Sequence, residues 1–189
     1  MPRALLFAAA LLACGPVLAA DPEFRRISVV PSAEGYACDS EMVIPVPPAL
    51  AWEVMTDFDS MARWVPNLRS SRVLMRQGAV VHVEQVGIAA FGPLSFDFTM
   101  VRRLELEPPH HIAAEQVRGT LRRYRSTIRL LPDKAGTRLT YRVDLEPGLL
   151  VGAILSRDFI EHEIREQFGA IAKEMVRRHS ERHGLVSGA

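Results

Sequence analysis

Residues 160–175, IEHEIREQFGAIAKEM, decide the fold of this chain. Apolar side chains recur there at spacings of four, four, three and four residues, at Ile160, Ile164, Phe168, Ile171 and Met175. A period near 3.6 residues places them on one face of a helix. The pattern therefore predicts one long amphipathic helix, which starts near Gly152 and reaches about 40 Å at 1.5 Å per residue.

The sequence before this helix alternates with period two between residues 72 and 146. Short apolar segments are separated there by turns that contain glycine or proline, such as Gly92-Pro93 and Pro108-Pro109. Residues 94–107 show the clearest alternation, with one face formed by Leu94, Phe96, Phe98, Met100, Leu104 and Leu106. Alternation of this length predicts half-buried antiparallel strands.

Two predicted strands, residues 25–30 and 36–46, and two short predicted helices, residues 49–58 and 60–64, come before this run. The order is strands, short helices, more strands and one long helix. It predicts an α+β fold of the helix-grip type, in which a curved antiparallel sheet of about seven strands wraps around the C-terminal helix.

The first twenty residues are predicted to form a secretory signal peptide. Arg3 supplies a positive charge, residues 5–13 are apolar, and small residues up to Ala20 form a cleavage site. A second reading stays open, because Leu11-Leu12-Ala13-Cys14-Gly15 resembles a bacterial lipobox in which Cys14 is acylated. Both readings place the mature protein outside the cytoplasm, either periplasmic or secreted, or anchored as a lipoprotein.

Length and composition predict a single folded domain. The chain has 189 residues, of which 48% are hydrophobic and 24% charged, and its net charge of +1 gives no reason to expect a nucleic acid partner. The predicted boundaries are 1–20 for the signal peptide, 21–35 for an N-terminal extension that could add a strand, 36–180 for the helix-grip domain, and 181–189 for a flexible tail.

Several short motifs resemble the START-like (SRPBCC) superfamily, within its polyketide cyclase/dehydrase and lipid-transport group, nearest the coenzyme Q-binding START-domain proteins. The motifs are IPVPPALAWEVMTDF at 44–58, WVP at 64–66, SRVL at 71–74, GTRLTY at 136–141 and FGAI at 168–171. The resemblance covers residues 36–180 and implies a cavity between the sheet and the long helix. Members bind lipids, quinones, sterols or plant hormones, and some are cyclases. The exported leader departs from the mitochondrial quinone-binding members.

Motifs for catalysis or metal binding are missing from the sequence. It contains no Gly-x-Ser-x-Gly, no His-Glu-x-x-His and no phosphate-binding glycine loop. His110 and His111 are adjacent, so they point to opposite sides of an extended chain. His179 and His183 have chelating spacing but lie at a helix end. We interpret both pairs as solvated, and predict no catalytic residue, no metal and no cofactor.

Arg102 is the sharpest candidate for binding, because it shares a strand face with Phe98, Met100 and Leu104. A cation on a cavity wall needs a partner or a ligand anion. The alternative is that a bulge or a strand end releases Arg102 to solvent. The predicted ligand-binding residues are Trp64, Phe96, Phe98, Met100, Arg102, Tyr124, Tyr141, Ile164 and Phe168.

Three functions remain open at this level. The first is an exported protein that holds a lipid, quinone or isoprenoid in an internal cavity and transfers it in the cell envelope, with peripheral membrane contact. The second is a cyclase or hydrolase that acts on an aromatic or lipid substrate through Arg102 with Tyr124 or Tyr141. The third is an interaction module with a filled core, which uses a basic band formed by Arg123, Arg125, Arg129, Arg138 and Arg142.

Overall fold

The computed structural model describes residues 22–149 and 151–184. The predicted signal peptide with Cys14 and Ala20, and residues 185–189 of the predicted tail, lie outside the described residues. The described chain forms one curved, unclosed antiparallel sheet of eight strands, in the order β1-β2-β8-β7-β6-β5-β4-β3. The strands are β1 (Glu23–Pro31), β2 (Tyr36–Ile44), β3 (Leu68–Gln77), β4 (Val80–Phe91), β5 (Leu94–Glu107), β6 (His111–Gly119), β7 (Arg123–Asp133) and β8 (Gly136–Glu146).

Three helical segments complete the fold, which is the predicted α+β helix-grip. Helix α1 (Pro48–Thr56) begins with proline, whose missing N–H is not needed in the first turn. A 3₁₀ segment (Phe58–Arg63) follows directly, so the second short helix starts two residues earlier than the sequence predicts. Helix α2 (Arg157–Arg182) lies across the concave face of the sheet. Among the described residues, no helix combines the length and apolar content that a membrane span requires.

Helix α2 begins at Arg157, which is later than the predicted start at Gly152. The reason is a cap: the hydroxyl of Ser156 accepts a hydrogen bond from the backbone N–H of Phe159 at 3.2 Å. Such a side chain satisfies one of the donors that a helix start leaves unpaired. The predicted apolar stripe is buried against the sheet, at Ile160, Ile164, Phe168, Ile171 and Met175.

Strand β5 keeps one uninterrupted alternation along its length, because its register with β4 runs unbroken from Val80 opposite Glu105 to Phe91 opposite Leu94. Its pairing with β6 does shift between Val101 and Arg102, where Val101 faces Arg118 and Arg102 faces Gln116. The extra residue therefore lies on β6. Arg102 stays in phase with Phe98 and Met100, and the alternative that a bulge turns it outward is wrong.

Candidate ligand-binding cavity

A cavity of about 200 Å³ lies between the concave face of the sheet and α2. Strand β5 supplies Phe96, Phe98 and Met100 to one wall, and α2 supplies Phe159 and Phe168 to the other. The bottom is closed by α1 and the 3₁₀ segment through Met55, Phe58 and Met61, all of which are buried. An apolar cavity of about 150 Å³ already accommodates benzene, so this one has room for a small organic group.

Eight of the nine predicted residues line this cavity: Phe96, Phe98, Met100, Arg102, Tyr124, Tyr141, Ile164 and Phe168. Trp64 does not, and its placement on the cavity wall is wrong. The 3₁₀ segment ends at Arg63, and Trp64 follows it with non-helical backbone angles (φ −131°, ψ −14°). The Trp64 ring instead lies under the guanidinium of Arg178, 4.9 Å from ring centroid to Cζ.

Polar side chains gather around Arg102 inside the otherwise apolar cavity. Nη2 of Arg102 donates to Oε1 of Gln85, and the guanidinium carbon lies 5.8 Å from the centroid of the Tyr124 ring. The hydroxyls of Tyr124 and Tyr141 are 3.0 Å apart and share a hydrogen bond. Gln85 is held in turn by its amide, which donates to the Ser71 hydroxyl at 3.2 Å.

Gln85 on β4 is a further polar residue of the site, and it is not among the predicted ligand-binding residues. The structure places Gln85 on the cavity wall and buries it. The signal was present in the sequence, since Gln85 has the same parity as Val81 and Val83, which are fully buried. Side chains two and four residues apart on a strand share a face.

The protonation states of this group follow from burial. Loss of water around Tyr141, together with its neighbour Tyr124, raises the pKa of the Tyr141 hydroxyl well above its ordinary value. Both effects disfavour a phenolate, so Tyr141 keeps its proton at neutral pH. Arg102 is always charged. Its surroundings are therefore a fixed positive charge among neutral hydroxyl and amide groups.

Glu163 lines the cavity on α2 and was missed by sequence reasoning. It follows Phe159 by four residues, a spacing that places both on one helix face. Its carboxylate accepts hydrogen bonds from Nδ2 of Asn67 at 2.7 Å and from the backbone N–H of Ala90 at 3.0 Å. Burial raises the pKa of the Glu163 carboxyl, and these hydrogen bonds work in the opposite direction. The contacts fasten α2 to the end of β4.

A metal is not assigned to the neighbouring groups on α2. His162, Glu163 and Glu166 do bring one ligand atom each within 4.8 Å of one another. However, the two carboxylate oxygens of Glu163 already accept hydrogen bonds from Asn67 and Ala90. A cation at this place would compete with both of them.

Acidic side chains offset three of the five arginines in the predicted basic band on the outer face of the sheet. Arg123 pairs with Glu34 at 2.6 Å, and Arg142 pairs with Asp39 at 2.5 Å. Arg125 lies 3.9 Å from Glu115. These pairs are exposed and contribute little to stability.

A helix-grip sheet that encloses a cavity against its long helix defines a ligand-binding domain of the START-like (SRPBCC) class. Residues 37–178 match the family described as Polyketide cyclase / dehydrase and lipid transport, and the chain belongs to that family. The resemblance drawn from the sequence motifs is thereby confirmed. Among curated proteins, no sequence matches this chain.

Solved structures share the fold at low sequence identity. A protein from Thermus thermophilus is 22% identical, with a TM-score of 0.62 over 75% of this chain and 95% of its own. The Zhui aromatase/cyclase from Streptomyces sp. R1128 is 20% identical, with a TM-score of 0.59 over 75% and 94%. A STAR-related lipid transfer protein from Xanthomonas axonopodis is 15% identical, with a TM-score of 0.58 over 79% and 98%. Identities this low show the fold alone, and one fold hosts both named activities.

Proposed function

We propose that this protein binds a lipid-like, isoprenoid or quinone ligand in its cavity and transfers it within the cell envelope. The observation that supports the proposal best is the cavity itself, about 200 Å³ between the sheet and α2 with mainly apolar walls. Burial of ligand surface there contributes about 25 cal/mol per Å² of apolar area. The sheet and α2 shield the ligand from water.

Location outside the cytoplasm is part of the same proposal and is supported by the leader pattern at residues 1–20. The intact mass of the mature protein, expressed in a bacterial host and recovered from its envelope, separates the two leader readings. Cleavage after Ala20 gives a chain that starts at Asp21. A chain that starts at a diacylated or triacylated Cys14 identifies a lipoprotein.

Contact with a membrane surface also belongs to this proposal. Phe91 and Leu94 flank the tight turn between β4 and β5, and both side chains are exposed, at 38% and 41%. Phe96, which follows on the same strand, is already part of the cavity wall. An apolar turn beside a cavity can enter the interfacial layer of a bilayer and shorten the path of a ligand through water.

Filling the cavity is expected to weaken lipid capture. Ser126 is buried and lines the cavity, whereas Thr127, the next residue of β7, faces the other side of the sheet. Leucine at 126 occupies ligand space, and a steric cost of about 1–3 kcal/mol corresponds to a roughly 5- to 150-fold loss of affinity. The measurement is native mass spectrometry after incubation with a total lipid extract, followed by solvent extraction of what is bound.

Thr127→Leu is the matched control, since it introduces the same side chain on the opposite face of the same strand. We expect Thr127→Leu to carry as much lipid as the unchanged protein. An unchanged protein that takes up nothing from the extract contradicts the carrier proposal. Equal losses in both variants would show that the effect does not come from the cavity.

A cyclase or hydrolase is the second candidate, and the observation that favours it is the Tyr124–Tyr141 hydroxyl pair beside Arg102. Because the pKa of the Tyr141 hydroxyl is raised, this pair can donate a hydrogen bond to a substrate but is poorly equipped to transfer a proton in either direction. From the carrier proposal we expect extracted lipids to be recovered chemically unchanged. A new product that disappears in Tyr124→Phe, while binding persists, would establish the enzyme instead.

A further inference from the structure

Arg102 is a charged side chain that faces the cavity without a carboxylate partner. In residues 22–149 and 151–184, no acidic group lies within ion-pair distance of it, and Gln85 is its one hydrogen-bond acceptor. Its Nε is buried with no acceptor at all. A guanidinium carries five N–H donors, so most of this donor capacity is unused. An unpaired cation in such a place is costly unless something else neutralises it.

The other residues that line the cavity do not neutralise the positive charge of Arg102. Arg102 and Glu163 are the two charged residues among the described lining residues, and they do not form an ion pair. Glu163 is held instead by Asn67 and Ala90 at the end of β4. The groups that contact or surround the guanidinium, Gln85, Tyr124 and Tyr141, are neutral. The cavity therefore has one localised positive site.

The position of Arg102 along the cavity follows from how strongly the inward side chains of β5 are buried. The inward side chains Phe96, Phe98, Met100 and Arg102 are only partly buried, because they border open cavity space. The next inward residue, Leu104, is 2% exposed and still lines the cavity, whereas Leu106 beyond it is 7% exposed and belongs to the closed core. The step from Phe96 to Arg102 spans about 20 Å of strand. Arg102 thus lies deep along β5, on the side of the cavity away from the β4–β5 turn.

We propose that the ligand is an amphiphile with one carboxylate group, that Arg102 binds this carboxylate deep in the cavity, and that the apolar part extends along β5 toward Phe96. Guanidinium and carboxylate match in shape and form paired, charge-assisted hydrogen bonds. One negative charge balances the single cation, whereas a dianion would leave a net buried charge. This inference rests on the proposed function, since it requires that the cavity holds a small molecule.

Two probes of equal chain length test the head group directly: decanoate and 1-decanol, titrated calorimetrically at neutral pH. We expect the unchanged protein to bind decanoate at least about tenfold more tightly than decanol, as a charge-assisted hydrogen-bonded pair adds selectivity. In Arg102→Met, decanoate should lose this advantage while decanol binding stays the same or improves. Arg102→Lys should keep part of the preference for decanoate, because lysine has the positive charge but not the planar shape of the guanidinium.

Arg103→Met is the matched control. Arg103 is the next residue of β5, points to the outer face, and pairs with Glu105 at 2.6 Å. Removal of this surface charge should leave both probes unaffected, which separates binding in the cavity from attraction to a basic surface. If Arg102→Met does not fold, the comparison of decanoate with decanol in the unchanged protein and in Arg102→Lys still tests whether Arg102 binds the carboxylate.

The outcomes separate this inference from the proposed function. Equal affinity for decanoate and decanol overturns the carboxylate assignment and leaves an apolar carrier standing. A preference for decanoate that persists in Arg102→Met also overturns it. If neither probe binds, the assignment is wrong, and the lipid-extract experiment with Ser126→Leu then decides separately whether the cavity carries any ligand.

Discussion

Replacement of Phe159 by alanine is expected to lower the free energy of unfolding by about 3–5 kcal/mol, the usual cost of a large buried aromatic side chain. Phe159 is completely buried at the start of α2. Its ring stacks on Phe96 with centroids 5.7 Å apart and meets the edge of Phe91 at 6.2 Å. The loss removes contacts that join the helix to both strands of the β4–β5 hairpin. Urea unfolding followed by circular dichroism measures it.

The same substitution should change ligand selection, because Phe159 also lines the cavity. We expect the variant to accept bulkier lipids from an extract than the unchanged protein does. Met175→Ala is the control: Met175 is equally buried on α2 but is not part of the cavity wall. It should cost about 2–5 kcal/mol and leave ligand size unaltered. Identical lipid profiles for all three proteins would refute a role of Phe159 in shaping the cavity.

Replacement of Arg178 by alanine is expected to cost about 2–3 kcal/mol, somewhat less than loss of one partner from a fully buried ion pair. Arg178 donates to Glu174 on its own helix and to Asp57 before the 3₁₀ segment, both at 2.7 Å. Its guanidinium also covers the Trp64 ring. Glu174 is buried, so the variant leaves a carboxylate with less compensation. Chemical unfolding at neutral pH measures the loss.

At low pH, the difference in unfolding free energy between Arg178→Ala and the unchanged protein should become smaller. The pKa of the Glu174 carboxyl is lowered mainly by the hydrogen bond from Arg177 and further by the hydrogen bond from Arg178. A lowered folded-state pKa contributes stability above the ordinary glutamate range, and the contribution disappears as the pH falls through the lowered value. Arg178→Ala and the unchanged protein should therefore converge at low pH. Arg182→Ala, which removes an exposed pair with Glu53, should cost under about 1 kcal/mol. A similar loss in both variants would contradict the special role of Arg178.

The alternation of side chains along the strands predicted most of the candidate site. On β5 the apolar face alternates over fourteen residues, so it could be read from the sequence, which left open only whether Arg102 is released to solvent. Period two fixes which side chains share a face, and the length of the strand excludes a helix. Burial of the α2 stripe follows in the same way from its period near 3.6. These features depend on local geometry that each segment specifies by itself.

The misplaced residues lie where local geometry ends. Trp64 stands one residue beyond the 3₁₀ segment, where no periodicity specifies the side chain's neighbours, and its ring contacts Arg178 from the distant helix α2. The start of α2 was placed too early because apolar residues continue before Ser156, and only the capping contact shows where the helix begins. Glu163 required knowledge of Asn67 and Ala90, which are distant in sequence and meet α2 only in the folded protein.

The strand order also has a consequence for the timing of folding. From β3 to β8 every strand pairs with its sequence neighbour, so these hairpins can form as soon as their residues are available. Strand β2 pairs instead with β8, as in Ser40 opposite Tyr141. The β1–β2 hairpin is the first to be synthesised, but its strand β2 cannot pair with β8 until most of the chain has been synthesised. Closure of that long loop, more than any local turn, sets the contact order of this fold and slows its formation.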